Sequence, residues 1–134
     1  MIVADTQLAV YATIRGDNSG LAAQVFEKDR EWAAPLLWRS EYRSALLGYM
    51  RQREMTLQRA INAFSVAQRL FGGREHLIQA PDVLSLAVDN SITAYDLEFV
   101  VLARQLSVPL VTFDKQVLAA FPGVAVAPAV FVAA

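Results

Sequence analysis

A chain of 134 residues with 55% hydrophobic and 19% charged side chains carries enough apolar material for a folded domain and too much for a disordered one. Twelve basic and thirteen acidic residues leave a formal charge of −1. That balance excludes a global electrostatic attraction to nucleic acid, so any such partner must be held by a local patch. The absence of cysteine excludes disulfides, thiolate metal sites and thiol nucleophiles.

The first apolar run, residues 2–4, reads as a strand that ends on Asp5. Asp5 also interrupts the N-terminus too early for a secretory leader, and a cytoplasmic protein is expected. Residues 6–14 read as a helix, and a second helix, "GLAAQVFEKD", follows the cap-like Asn18 and Ser19. Residues 32–34 form a short strand ended by Pro35, which has no N–H for a ladder. A longer helix covers residues 37–53, with Tyr42, Ala45, Leu46, Tyr49 and Met50 at amphipathic spacing. Thr56 caps "LQRAINAFSVAQRLF", which stops at Gly72 and Gly73.

"HLIQAP" reads as a brief strand, and Pro81 opens the helix "PDVLSLAVDN" at its favoured first turn. Thr93 begins "AYDLEFVVLARQL", residues 110–113 form a strand running into Asp114, and "VAVA" near the end forms the last strand. The final apolar tail is shorter than the roughly 20 residues that span a bilayer. No repeat, low-complexity segment or linker divides the chain, so one domain over residues 1–134 is expected. Short apolar strands alternating with helices predict an α/β fold with a mainly parallel sheet. In such sheets ligands bind outside the carboxyl ends of the strands, where Asp5 and Asp114 fall.

Each acid has an ordinary structural role open to it. Asp5 and Asp114 precede helices, where Asp is a favoured N-cap. Thr93 and Asp96 match a capping box in which Asp96 reaches back to the helix start. Helix geometry nonetheless puts Asp96 beside Val100 and Ala103 on an apolar face, where a carboxylate is costly unless paired. Glu98 aligns instead with Gln105 on a polar strip and is expected to face solvent. Glu41 falls at the edge of an apolar stripe, next to the small residues Ala45 and Gly48, where another element can cover it. Arg39 and Arg43 lie around the other side of that helix. They are candidates for phosphate contact, against the alternative of a solvated face.

Asp and Glu oxygens without histidine or cysteine suit a hard cation, Mg²⁺ or Mn²⁺. Such an ion activates water and stabilises a phosphodiester leaving group, so the chemistry expected is metal-dependent phosphodiester hydrolysis. Competing fingerprints are missing: neither G-x-G-x-x-G nor G-x-x-x-x-G-K-[ST] occurs. "ADTQL" lacks the second Asp of a haloacid-dehalogenase phosphatase. His76, the one histidine, has no serine motif near it and reads as a surface or strand-edge residue. Trp32, Trp38 and the phenylalanines read as core.

With "VADTQLAVY", "SEYRSALL" and "TAYDLEFVVLARQLSVPLVTFD", the chain resembles PIN domains over essentially its whole length, in particular the VapC-like toxins of toxin–antitoxin pairs. The resemblance implies a three-layer α/β/α sandwich and a Mg²⁺- or Mn²⁺-dependent ribonuclease acting on RNA. It implies Asp5, Glu41, Asp96 and Asp114 as the acidic quartet, supported by the hydroxyls of Thr6 and Thr112. It further implies a homodimer and a cognate antitoxin protein that inserts near the acids. The family often carries another acid two residues after the last one, where this chain has Gln116. Two alternatives stay open: a PIN-fold module that binds RNA or protein without cutting, and a Mg²⁺-binding signalling receiver domain. The receiver fits less well, because Thr6 stands where its second adjacent acid belongs. Replacing Asp5 or Asp96 by Asn is expected to abolish cleavage and leave the fold intact.

Overall fold

The computed structural model describes residues 1–88 and 90–134. Five strands, β1 (Ile2–Ala4), β2 (Trp32–Pro35), β3 (Glu75–His76), β4 (Leu110–Val111) and β5 (Ala125–Val126), form one sheet in the order β3-β2-β1-β4-β5. Every pairing is parallel. The helices are α1 (Thr6–Thr13), α2 (Ser19–Lys28), α3 (Trp38–Arg51), α4 (Leu57–Phe71), α5 (Ala80–Ala87), α6 (Ala94–Leu106), α7 (Lys115–Ala120) and α8 (Pro128–Ala133). They flank the sheet in a three-layer α/β/α sandwich.

Parallel strands need crossovers, and helices supply them, so both sheet faces are covered and the strands are apolar throughout. All residues of β1, β2 and β4 are buried. On α6, Leu97, Phe99, Val100, Val101, Leu102 and Ala103 are all buried, because this helix packs across β1, β2 and β4. Trp38 anchors the other end of the core, with ring centroids 4.5 Å from Phe71 and 5.4 Å from Phe64. Tyr42 is buried with its hydroxyl paired to Thr13 Oγ1 at 2.6 Å and donating to the Ala63 carbonyl at 3.2 Å. That satisfied polar link ties α1, α3 and α4 together.

The expected strand in "HLIQAP" forms earlier, as Glu75–His76, because the β2 edge receives residues 74–76: Ala34 N–H donates to Arg74 O and Leu36 N–H to His76 O. His76 is therefore on an edge strand, as expected. Pro35 is the last residue of β2 rather than its terminator, tolerated because only its missing N–H would have cost a bond. The helix expected over residues 81–90 ends at Ala87, and Asp89 lies outside the described residues. The apolar tail forms α8, with Pro128 at its first turn. Lys28 secures its end by donating to the carbonyls of Phe131 and Ala134. Gly72 closes α4 at φ 54°, the left-handed conformation that favours glycine.

The sheet order places β1 between β2 and β4, so chain connections leave β1 in opposite directions. A crevice opens at the carboxyl ends of strands at such a switch point.

Candidate acidic site

The four acids named from the sequence, Asp5, Glu41, Asp96 and Asp114, line one cleft of about 370 Å³ at the carboxyl ends of β1 and β4. Thr6 and Thr112 line it with them. Residues separated by more than a hundred positions meet because β1 and β4 are hydrogen-bonded neighbours, with Ala4 opposite Val111. The Asp5 N–H extends that ladder, donating to the Val111 carbonyl at 3.2 Å.

Asp5 is held by three donors. Leu8 N–H donates to Oδ1 at 2.7 Å, making Asp5 the N-cap of α1. Thr112 Oγ1 and Phe113 N–H donate to Oδ2 at 2.6 and 2.9 Å. Burial pushes its carboxyl up, the three hydrogen bonds pull it down, and the Asp114 charge pushes up again. Burial prevails, and protonation is favoured above the ordinary Asp range of 3.8.

Asp114 caps α7, with Oδ1 accepting Val117 N–H at 2.9 Å, while its own N–H donates to Thr112 Oγ1 at 3.0 Å. Capping and placement in the cleft are thus compatible for both strand-end acids. The cap on Asp114 leaves Oδ2 open, whereas Asp5 Oδ2 takes two donors and only Oδ1 keeps a lone pair beside its cap.

Glu41 stands on the first turn of α3, half-buried, with Oε1 accepting the Thr6 hydroxyl at 2.7 Å. Burial raises its carboxyl, Thr6 lowers it, and the charges of Asp96, Asp5 and Glu98 raise it further. Ala45 also lines the cleft, whereas a Cβ on Gly48 would meet open space. The close approach expected at two small residues therefore occurs at one of them.

Asp96 is half-buried on the first turn of α6, where Thr93 Oγ1 accepts its N–H at 3.2 Å. The return bond of a capping box, from the Thr93 N–H to the Asp96 carboxylate, is absent among the described residues. The carboxylate borders the cleft instead, raised by burial and by the Asp114 charge and lowered by the Thr93 hydroxyl.

One expectation, for Glu98, needs correction, and the two arginine candidates stand outside the cleft. Arg39 forms a bidentate pair with Glu75, Nε to Oε1 at 2.7 Å and Nη2 to Oε2 at 2.9 Å. Arg43 packs over the Phe64 ring and donates to the Arg39 carbonyl at 3.0 Å. Neither arginine lines the cleft, because helix geometry turns them away from Glu41. Glu98, read as a solvent residue, is half-buried and raised by burial, and its charge reaches Glu41. The apolar packing of α6 against three strands narrows its exposed strip, which the wheel alone did not show. Gln116 is exposed on α7 and outside the cleft.

Sequence reading missed Glu75. It accepts Trp38 Nε1 and both Arg39 donors, pinning the start of α3 two residues before Glu41. No local pattern marks it, since its partners lie on α3, 36 and 37 positions earlier, and meet it only once β3 pairs with β2.

Among the described residues no lysine, arginine or histidine borders the cleft. Four carboxylates share it, and Glu41 Oε2 and Asp114 Oδ2 accept no protein hydrogen bond among the described residues. An oxygen-only donor set with uncompensated charge fits a hard divalent cation. The acids border one cleft without closing on one point: among the described residues no three Asp, Glu, His or Cys side chains stand as a group that could hold a metal ion.

No protein-family model and no curated protein matches the chain. Its fold is similar to that of a chain in the solved "Toxin-antitoxin complex from Klebsiella pneumoniae", with a TM-score of 0.63 and 19% sequence identity. The similarity covers 96% of this chain and 98% of that one, and at this identity it shows the fold.

Proposed function

We propose that the protein is a metal-dependent endoribonuclease of the PIN type, the toxin of a toxin–antitoxin pair, using Mg²⁺ or Mn²⁺. The observation that carries the reading is the cleft at the sheet's switch point, lined by Asp5, Glu41, Asp96 and Asp114 with no basic residue to neutralise them. Likeness in fold to a chain from a toxin–antitoxin complex supports it. RNA as substrate, a cognate antitoxin and a homodimer belong to the same proposal.

A bound cation would supply a hydroxide at neutral pH and offset the charge that builds on the phosphodiester. Asp5, fixed by Leu8, Thr112 and Phe113, would be the rigid ligand. Glu41 and Asp96, less tightly held, would be the adaptable ligands. Thr6 orients Glu41 by bonding one oxygen and leaving the other for the ion. Asp96, raised by burial and by the Asp114 charge, would be suited to accept the proton of the attacking water. Hydrolysis then forms a new P–O bond from that water and breaks the bond to the leaving oxygen, which takes up a proton.

The test is incubation of the purified protein with RNA and Mg²⁺ or Mn²⁺, beside a chelated sample and Asp96→Asn. Cleavage that needs the ion and disappears in the variant is expected. Equal cleavage by the variant would overturn the reading. One observation favours a second reading, a PIN-fold module that binds without cutting: no acid trio is preassembled for a metal. Binding of RNA with no cleavage under either ion would select it.

A further inference from the structure

Among the described residues, seven polar side chains border the acidic cleft. Four are the carboxylates. Two are threonines that donate their hydroxyl hydrogens to those carboxylates, Thr6 to Glu41 Oε1 at 2.7 Å and Thr112 to Asp5 Oδ2 at 2.6 Å. The seventh is Gln7, which is exposed and whose amide bonds to no described residue.

The sequence and the cap fix where that amide stands. Asp5 Oδ1 accepts Leu8 N–H at 2.7 Å and starts α1, so Gln7 is the second residue of a helix anchored beside the acids. Thr6, Gln7 and Val10 lie within about 100° of one another around the helix, and all three border the cleft. Leu8 and Ala9 are buried in the core instead. Gln7 therefore stands at the mouth of the cleft, two residues along the chain from Asp5.

We infer that Gln7 is a specificity-determining residue, its amide holding the ribose 2′-hydroxyl of the nucleotide next to the phosphate at the acids. The inference rests on the reading of the cleft as an RNA site. A 2′-hydroxyl both donates and accepts, and a primary amide offers a partner for each. Ionised carboxylates only accept, and both threonines have committed their hydrogens within the protein. Gln7 is thus the one cleft side chain, among the described residues, with hydrogens free for a sugar oxygen. An amide also suits a base edge. The sugar is the better placed of the two, because it is bonded directly to the phosphate whereas the base stands a step further out. Deoxyribose in the same position would cover the amide and leave it without a partner, which is how a polar site rejects an analogue lacking a hydroxyl.

The test measures binding with cleavage blocked by Asp96→Asn in the full chain. Labelled single strands of one sequence, as RNA and as DNA, are titrated by anisotropy with Mg²⁺ present. Expected is RNA binding about five- to tenfold tighter than DNA, the effect of one hydrogen bond. Adding Gln7→Ala should bring RNA to the level of DNA and leave DNA unchanged, a cycle that isolates the pair. Gln7→Asn, one methylene shorter, should lose most of the preference too. With Asp96 restored, removing 2′-hydroxyls one at a time should raise KM at one position beside the cut, and Gln7→Ala should abolish that effect. The rise in melting temperature produced by Mg²⁺ should be the same with and without Gln7→Ala. Equal binding of RNA and DNA overturns the inference, as does a preference that survives Gln7→Ala or a Mg²⁺ response lost with it. So does an effect of Gln7→Ala that disappears on removing a base and persists on removing a hydroxyl. RNA bound with the expected preference but never cut supports the inference and overturns the nuclease reading.

Discussion

Thr112 donates its hydroxyl hydrogen to Asp5 Oδ2 at 2.6 Å, joining the ends of two strands that lie 107 positions apart. Thr112 is 2% exposed. Its oxygen also accepts the Asp114 N–H, so a single hydroxyl sets the relation between the two strand-end acids. Thr112→Val keeps the shape and removes both bonds, leaving the Asp114 N–H without its acceptor. A loss of about 1–3 kcal/mol is expected, measured by urea unfolding at neutral pH, with Thr112→Ser close to the parent. Valine and serine variants of equal stability would show that the hydroxyl does not order the site.

Asp5 and Asp96 differ in their backbone donors, so amidation is expected to change their stability differently. Asp96 accepts no backbone donor, so Asp96→Asn removes repulsion and should melt at or above the parent temperature without divalent ions. Asp5 faces N–H donors on both oxygens, so an amide NH₂ must oppose one of them. Asp5→Asn is expected to lose about 1–3 kcal/mol. Calorimetry of the two variants side by side checks the order, and Asp5→Asn as stable as Asp96→Asn would contradict it.

The raised carboxyls give stability a definite pH signature. Asp96 binds its proton more tightly folded than unfolded, so its burial is penalty-free below the unfolded value of 3.8. The penalty grows as pH rises through the higher folded value. Glu41 follows the same course from 4.5. The melting temperature of Asp96→Asn minus that of the parent should therefore be positive at pH 7 and shrink toward zero near pH 4. Millimolar Mg²⁺ should raise the parent's melting temperature at pH 7 and have less effect on the variant. A difference independent of pH would mean that the Asp96 charge is not what burial penalises.

Glu75 shows the opposite sign. The Arg39 pair holds its carboxyl below the ordinary range, so it stabilises the fold at neutral pH and loses that effect as pH falls through the lowered value. Glu75→Gln keeps one acceptor and loses the charge. Because Arg39 is one-third exposed, a cost of about 1 kcal/mol is expected, vanishing in acid. A larger loss of metal-dependent cleavage than of stability would identify Glu75 as a positioning residue for Glu41.

Much of the architecture was legible because it is written in local periods. The run from residue 2 to 4, the amphipathic spacing after Pro35, the Thr56 and Thr93 caps and the Gly72 stop each act within a few residues of chain. The same holds for Asp5 and Asp114 at strand ends and for Glu41 and Asp96 on the apolar sides of their helices, whereas Thr6 and Thr112 were implied by the family resemblance alone.

What the sequence could not decide is pairing between distant elements. Whether β3 began at Glu75 or at His76 depended on which carbonyls the β2 edge could reach. The role of Arg39 depended on Glu75 arriving beside it, and the burial of Glu98 on how closely α6 lies against the sheet. The wheel gives a direction for each side chain but no neighbour. Strand order supplies the neighbour, and with it the meeting of Asp5 and Asp114 at the switch point: adjacency of β1 and β4 is set by long-range burial, not by any local propensity.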